Sequence, residues 1–146
     1  MKLILLIVWT LSTLSNLNAQ KSPVFIKGGK AIHGFDAVSY FSGSEPKKGS
    51  DSLSYSWQDA TWFFATRANL KLFKANPIQY APQYGGYCAF GTSRGYKAST
   101  EPDAWSIVEG KLYFNYNKKV RESWSKDKQG YIRKADEQWP LIINKG

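Results

Sequence analysis

Cys88 is the only cysteine in the chain, so no disulfide can close within it, and any fold must rest on what its side chains bury. The material for a core is present. Aromatic residues make up 16% of the sequence, enough to fill one domain of ordinary size. The same scarcity of sulfur limits metal chemistry, because His33 is the only histidine and Met1 the only methionine. A four-ligand site of Cys and His cannot be assembled from one copy. A soft metal ion would need Cys88 and His33 supplied by different chains.

The N-terminus has its own signature. Lys2 precedes an apolar run from Leu3 to Leu14, and the small residue Ala19 follows at a cleavage distance, so residues 1–19 read as a secretory signal peptide. The run is broken by Thr10, Ser12 and Thr13 and falls short of the roughly 20 apolar residues a membrane span needs. The expected product is an exported protein, periplasmic or extracellular, with no membrane span after cleavage. Residues 20–30, with Pro23 and Gly28-Gly29, read as a flexible or edge segment, and residues 31–143 as one folded domain. The net charge of +9 raises nucleic acid as a partner. The basic residues are scattered in ones and twos, as at Lys47-Lys48 and Lys118-Lys119, which favours a solvated basic surface instead.

Along the domain, Asp36 is placed to cap a short helical turn that carries Val38, Tyr40 and Phe41 inward. A polar loop over 42–52 follows. Tyr55 and Trp57 alternate with polar residues and face Thr61–Ala65 across a tight turn at Asp59-Ala60, the pattern of an aromatic hairpin. Thr66 caps a helix from Arg67 to about Ala75, and Pro77 marks its end or a new start. Four glycines break the stretch 80–98, which leaves room only for a short helical segment between loops. Trp105 and Ile107, then Leu112, Phe114 and Tyr116, flank Glu109-Gly110 as a second hairpin. Asn117 caps a helix through Val120 and Trp124, and a last helix spans Ile132 to Trp139, ahead of Pro140. The fold class is therefore α+β, a small antiparallel sheet of short hairpins packed with several short helices.

The residues Gly34-Phe35-Asp36, Trp62-Phe63-Phe64-Ala65, Phe73-Lys74-Ala75-Asn76-Pro77 and Tyr84-Gly85-Gly86-Tyr87-Cys88-Ala89, in that order, resemble the YHS-domain family, and within it the exported single-domain branch. Trp105, Ile107-Val108, Asn115-Tyr116-Asn117 and Trp139-Pro140 continue the match over most of the chain after residue 33. The resemblance implies a YHS-like fold. It also implies that three metal-binding cysteines of the wider family fall here at Ser39, Ala65 and Asn69, none of which offers a thiolate. Some members of the exported branch are implied to carry selenocysteine where Cys88 stands, which would point to redox, nucleophilic or soft-metal chemistry.

Two functions from different classes follow. In the first, Cys88 is a functional thiol for redox or soft-ligand binding; Gly85-Gly86 would open space or N–H donors beside it, Tyr84 and Tyr87 would shape its surroundings, and His33 would be its base. No Cys-x-x-Cys partner exists, so an external thiol or redox partner would be needed. In the second, the protein is a non-catalytic envelope binding module with a structural, buried Cys88. Its small-molecule pocket would be drawn from Trp57, Trp62, Tyr84, Tyr87, Phe90 and Trp105 and suited to a flat ligand such as haem or a quinone. The lack of Cys-x-x-Cys-His excludes covalent haem attachment. Asp36 and Asp136 read as a cap and a hydrogen-bond acceptor, not as an acid and base pair. Neither the substrate nor the oligomeric state is written in the sequence.

Overall fold

The computed structural model of the chain describes residues 22–146, so the leader expected at 1–19 lies outside the described residues. The fold is α+β, and among the described residues its strands form three separate antiparallel hairpins. These are β1 (Ile26–Lys27) with β2 (Lys30–Ala31), β3 (Ser50–Trp57) with β4 (Ala60–Phe64), and β5 (Trp105–Val108) with β6 (Lys111–Phe114). Each turns on two residues at positive φ: Gly28-Gly29, Gln58-Asp59 and Glu109-Gly110. That is what a two-residue turn needs if its twist is to match the strands. The middle turn lies one residue earlier than the sequence suggested, because Trp57 pairs with Ala60 and Tyr55 with Trp62. That register puts Ala60, Trp62 and Phe64 together on the buried face.

Among the described residues five α-helices accompany the hairpins: α1 (Arg67–Ala75), α2 (Pro77–Tyr80), α3 (Ala89–Ser93), α4 (Lys118–Ser125) and α5 (Lys128–Ile142). Their starts follow from capping. Thr66 Oγ1 accepts from Asn69 N at 3.1 Å, Asn117 Oδ1 from Val120 N at 2.8 Å, and Asp127 Oδ1 from Gly130 N at 3.0 Å. Pro77 opens α2 at a position where a missing N–H costs nothing.

Two apolar clusters make the core, and β6 lies between them. Leu112 and Phe114 point into a cluster with Tyr40, Trp62, Phe64 and Phe73, whereas Tyr113 joins Tyr84, Trp124 and Ala135 on the other side. Alternation along one strand thus serves both clusters.

The structure differs from the sequence reading in three further places. Packing starts before residue 31: Val24 and Phe25 are buried, Phe25 N donates to the Gly85 carbonyl at 2.9 Å, and Ile32 N donates to the Phe25 carbonyl at 3.1 Å. Strand β3 begins at Ser50, inside the expected loop, as an exposed strand end whose polar composition resembles a loop's. Helix α5 begins before Ile132 and continues through Pro140. Proline is tolerated there because it sits in the last turn, where it removes only the bond to the Asp136 carbonyl; Ile143 N still donates to the Trp139 carbonyl at 2.9 Å.

Candidate functional site

Asp36 is fully buried and accepts four hydrogen bonds. Its Oδ1 takes the N–H groups of Val38 (2.9 Å) and Ser39 (3.2 Å), and its Oδ2 takes Ala65 N (2.9 Å) and Asn69 Nδ2 (2.8 Å). The cap expected at Asp36 is therefore also a tie to the hairpin and to α1. Ser39, Ala65 and Asn69, scattered over thirty residues of sequence, all meet at this carboxyl and share one shallow recess with Val38, Phe41 and Tyr80. No thiolate or imidazole stands among them.

Cys88 is 2% exposed. Its sulfur accepts from Tyr116 N at 3.2 Å and Gly91 N at 3.4 Å, which makes it the N-cap of α3 and a stitch to the end of β6. The thiol in turn donates to Asn115 Oδ1 at 3.6 Å. Burial pushes the thiol above its usual range, against a smaller opposing effect of the Gly91, Tyr116 and Phe90 amides. An accessible, acidified thiol is therefore not what the fold presents. The described hydrogen bonds do not join His33 to Cys88: His33 Nε2 donates to the Thr100 carbonyl at 2.7 Å and its ring stands edge-on to Phe25, while the thiol donates to Asn115. A metal shared between copies through Cys88 and His33 meets the same obstacle, because a sealed sulfur cannot reach a second chain. Among the described residues no three His, Cys, Asp or Glu side chains converge as metal ligands would.

Gly85 and Gly86 were expected to open space beside Cys88, yet they serve another contact. A Cβ on Gly85 would run into the Pro23 carbonyl, and one on Gly86 would meet the Ile32 side chain at 2.8 Å. Tyr87 completes this clasp: its hydroxyl donates to the Ser22 carbonyl at 2.7 Å and its ring packs edge-on to Phe25. The Tyr84–Tyr87 segment thus grips residues 22–25 and holds them against the domain.

That grip builds one wall of an aromatic groove of about 310 Å³. Pro23 and Val24 form the wall; Trp57, Gln58 and Trp62 enter from the β3–β4 hairpin; Ile78 and Ala81 to Gly85 form a second side; and Asp136, Trp139 and Pro140 come from α5, with Ile143 from its C-cap. The volume lies at the small end of ligand pockets, whose lining is usually apolar with a few placed polar groups. Trp62 is buried and donates from Nε1 to the Trp57 carbonyl at 3.0 Å, which fixes the two indoles 5.9 Å apart. Tyr84 donates to Asp136 Oδ1 at 2.8 Å, and its ring lies 6.0 Å from that of Trp139. Burial, reinforced by the Asp136 carboxylate, holds the Tyr84 phenol far above the ordinary tyrosine range, so it stays a neutral donor. Gln58 takes its φ of 55 from the β3–β4 turn, whereas Tyr84 sits at φ 55 outside any hairpin turn, a costly conformation that concentrates at ligand-binding sites.

Of the aromatic residues expected to share a pocket, Trp57, Trp62 and Tyr84 do so. Tyr87 stands behind the wall; Phe90 packs on Tyr131 and Trp105 on Tyr40, outside the groove. The contribution of α5 was not foreseen, though its spacing carries a signal. Positions 136, 139, 140 and 143 fall at i, i+3, i+4 and i+7, one helix face. No family model matches the chain, and no curated protein or solved structure shows a significant match to it.

Proposed function

We propose that this protein is an exported, non-catalytic binding module of the YHS type that holds a flat, largely apolar small molecule between Trp57, Trp62, Tyr84 and Trp139. The observation that carries the binding reading is the groove itself, assembled from four distant parts of the chain and lined by a left-handed Tyr84. Support for the YHS resemblance comes from the meeting of Ser39, Ala65 and Asn69 around Asp36, as expected of positions that once shared a ligand. The burial of Cys88 favours this binding reading over thiol redox chemistry.

Size and donor set narrow the ligand. The groove lining offers no His, Cys or Met that could ligate haem iron, and about 310 Å³ suits one or two fused rings, the scale of a quinone nucleus. The test is calorimetric titration with 2-naphthol of the wild type, of Trp57→Ala, and of Tyr96→Ala as an exposed aromatic control outside the groove. Binding weakened about tenfold or more in Trp57→Ala alone supports the assignment, since a buried ring contact is worth roughly 1.4 kcal/mol or more. Equal binding by all three, or none by the wild type, removes it.

A further inference from the structure

The groove presents one acidic side chain, in a chain of net charge +9. Among the described residues no lysine or arginine lines this groove, and Asp136 is the one charged residue that does. Asp136 contributes twice. Its carboxylate accepts from Tyr84, and its backbone carbonyl has no helical N–H to accept from, because Pro140 occupies the position four residues on. Both lie near the middle of α5, one turn before the helix's C-terminal turn. The protein's own Lys97 already meets the C-terminal end: its ammonium donates to the Ile143 and Lys145 carbonyls and stands 5.8 Å from the centre of the Trp139 ring.

We propose that the groove selects ligands with a cationic head, above all a quaternary or tertiary ammonium, which the indoles of Trp57 and Trp139 receive while Asp136 supplies the countercharge. Indole rings are the strongest aromatic partners for a cation, and clustered aromatic rings are what recognise methylated ammonium groups. A quaternary ammonium suits such a lining because it needs no hydrogen-bond acceptor, and the groove offers few. The inference rests on the groove being a binding site, and it adds the chemical class of what binds.

The test compares two soluble isosteres, 4-hydroxyphenyltrimethylammonium and 4-tert-butylphenol, titrated into wild type, Asp136→Asn and Pro140→Ala. Asn retains an acceptor for Tyr84, so the groove keeps its shape while losing its charge; Pro140→Ala restores an N–H for the Asp136 carbonyl. The expected result is an ammonium preference of about tenfold in the wild type, reduced to roughly threefold or less in Asp136→Asn and lowered in Pro140→Ala. If the neutral compound binds as well as the cation, or Asp136→Asn leaves the preference intact, cation selection is wrong while the groove remains a binding site. If neither compound binds the wild type, the groove reading fails and this inference falls with it.

Discussion

Replacing Cys88 separates a structural sulfur from a reactive one. In the fold, Cys88 Sγ is the acceptor for two buried amides, Gly91 N and Tyr116 N, and it is almost wholly excluded from water. Cys88→Ala removes a buried group about the size of one methylene, worth about 1 kcal/mol. It also strands two N–H donors, each costing about 1 kcal/mol or more when unpaired. The sum is about 3–4 kcal/mol, a large part of the 5–15 kcal/mol typical of a domain. Cys88→Ser keeps an acceptor at a helix N-cap, where serine is favoured, so it should lie clearly closer to wild type than alanine does. Urea unfolding followed by tryptophan fluorescence reads both, and with a slope near 1–3 kcal/mol/M the alanine variant should shift its midpoint by about 1–2 M. Native alkylation should run at least a hundredfold slower than in the unfolded chain, since it must wait for local opening. A Cys88→Ala variant within about 0.5 kcal/mol of wild type would refute the capping role. Native labelling as fast as unfolded labelling would refute the sealed site.

Asp36→Asn leaves one oxygen to serve donors that now occupy two, and turns an NH2 toward N–H groups. The expected loss is about 2–4 kcal/mol in chemical denaturation, and a change below about 0.5 kcal/mol would contradict the four-bond description. Gly85→Ala combines left-handed strain with a collision at the Pro23 carbonyl, whereas Gly43→Ala, also at positive φ but with open space around it, adds only strain. Gly85→Ala should therefore cost more than Gly43→Ala and abolish hydrogen-exchange protection of Phe25 N; equal effects would dismiss the clasp. Alkaline pH should destabilise the fold in a defined window. The Tyr113 phenol is pushed up from 10.0 to about 12 by burial, then by Asp136 and Glu109, so the unfolded chain loses its proton first and stability falls as pH rises from 10 to 12. Tyr113 alone contributes on the order of 3 kcal/mol across that range. Tyr40 and Tyr84 act in the same direction, and the raised Cys88 thiol begins to contribute near pH 9. Stability that stays flat from pH 9 to 11.5 in urea titrations would contradict the buried phenols.

Local features were the legible ones. Alternation of Tyr55, Trp57 and Trp62 gave the aromatic hairpin, and the side chains of Asp36, Thr66 and Asn117 marked the starts of their helical segments, because capping and pleating act over a few residues. What failed to show was long-range. Nothing near Pro23 announces that Gly85 lies beneath its carbonyl, and nothing near Asp36 that Ala65 and Asn69 will be its donors. The helical reading stopped at Pro140 because proline is a poor interior residue, yet in a final turn it costs a single bond. The site divided along the same line. Trp57, Trp62 and Tyr84 stood out as aromatic residues, but the sequence could not say that they share a groove while Phe90 and Trp105 do not. Cys88 drew attention by its rarity, and only burial and its amide donors identify it as a cap.

The most direct test of the groove is an NMR search for intermolecular NOEs between 2-naphthol at saturating concentration and the native protein. Cross-peaks from the naphthol ring protons to the indoles of Trp57 and Trp139 together, lost in Trp57→Ala, are the predicted result. Cross-peaks confined to other residues, or none at saturation, would contradict the account.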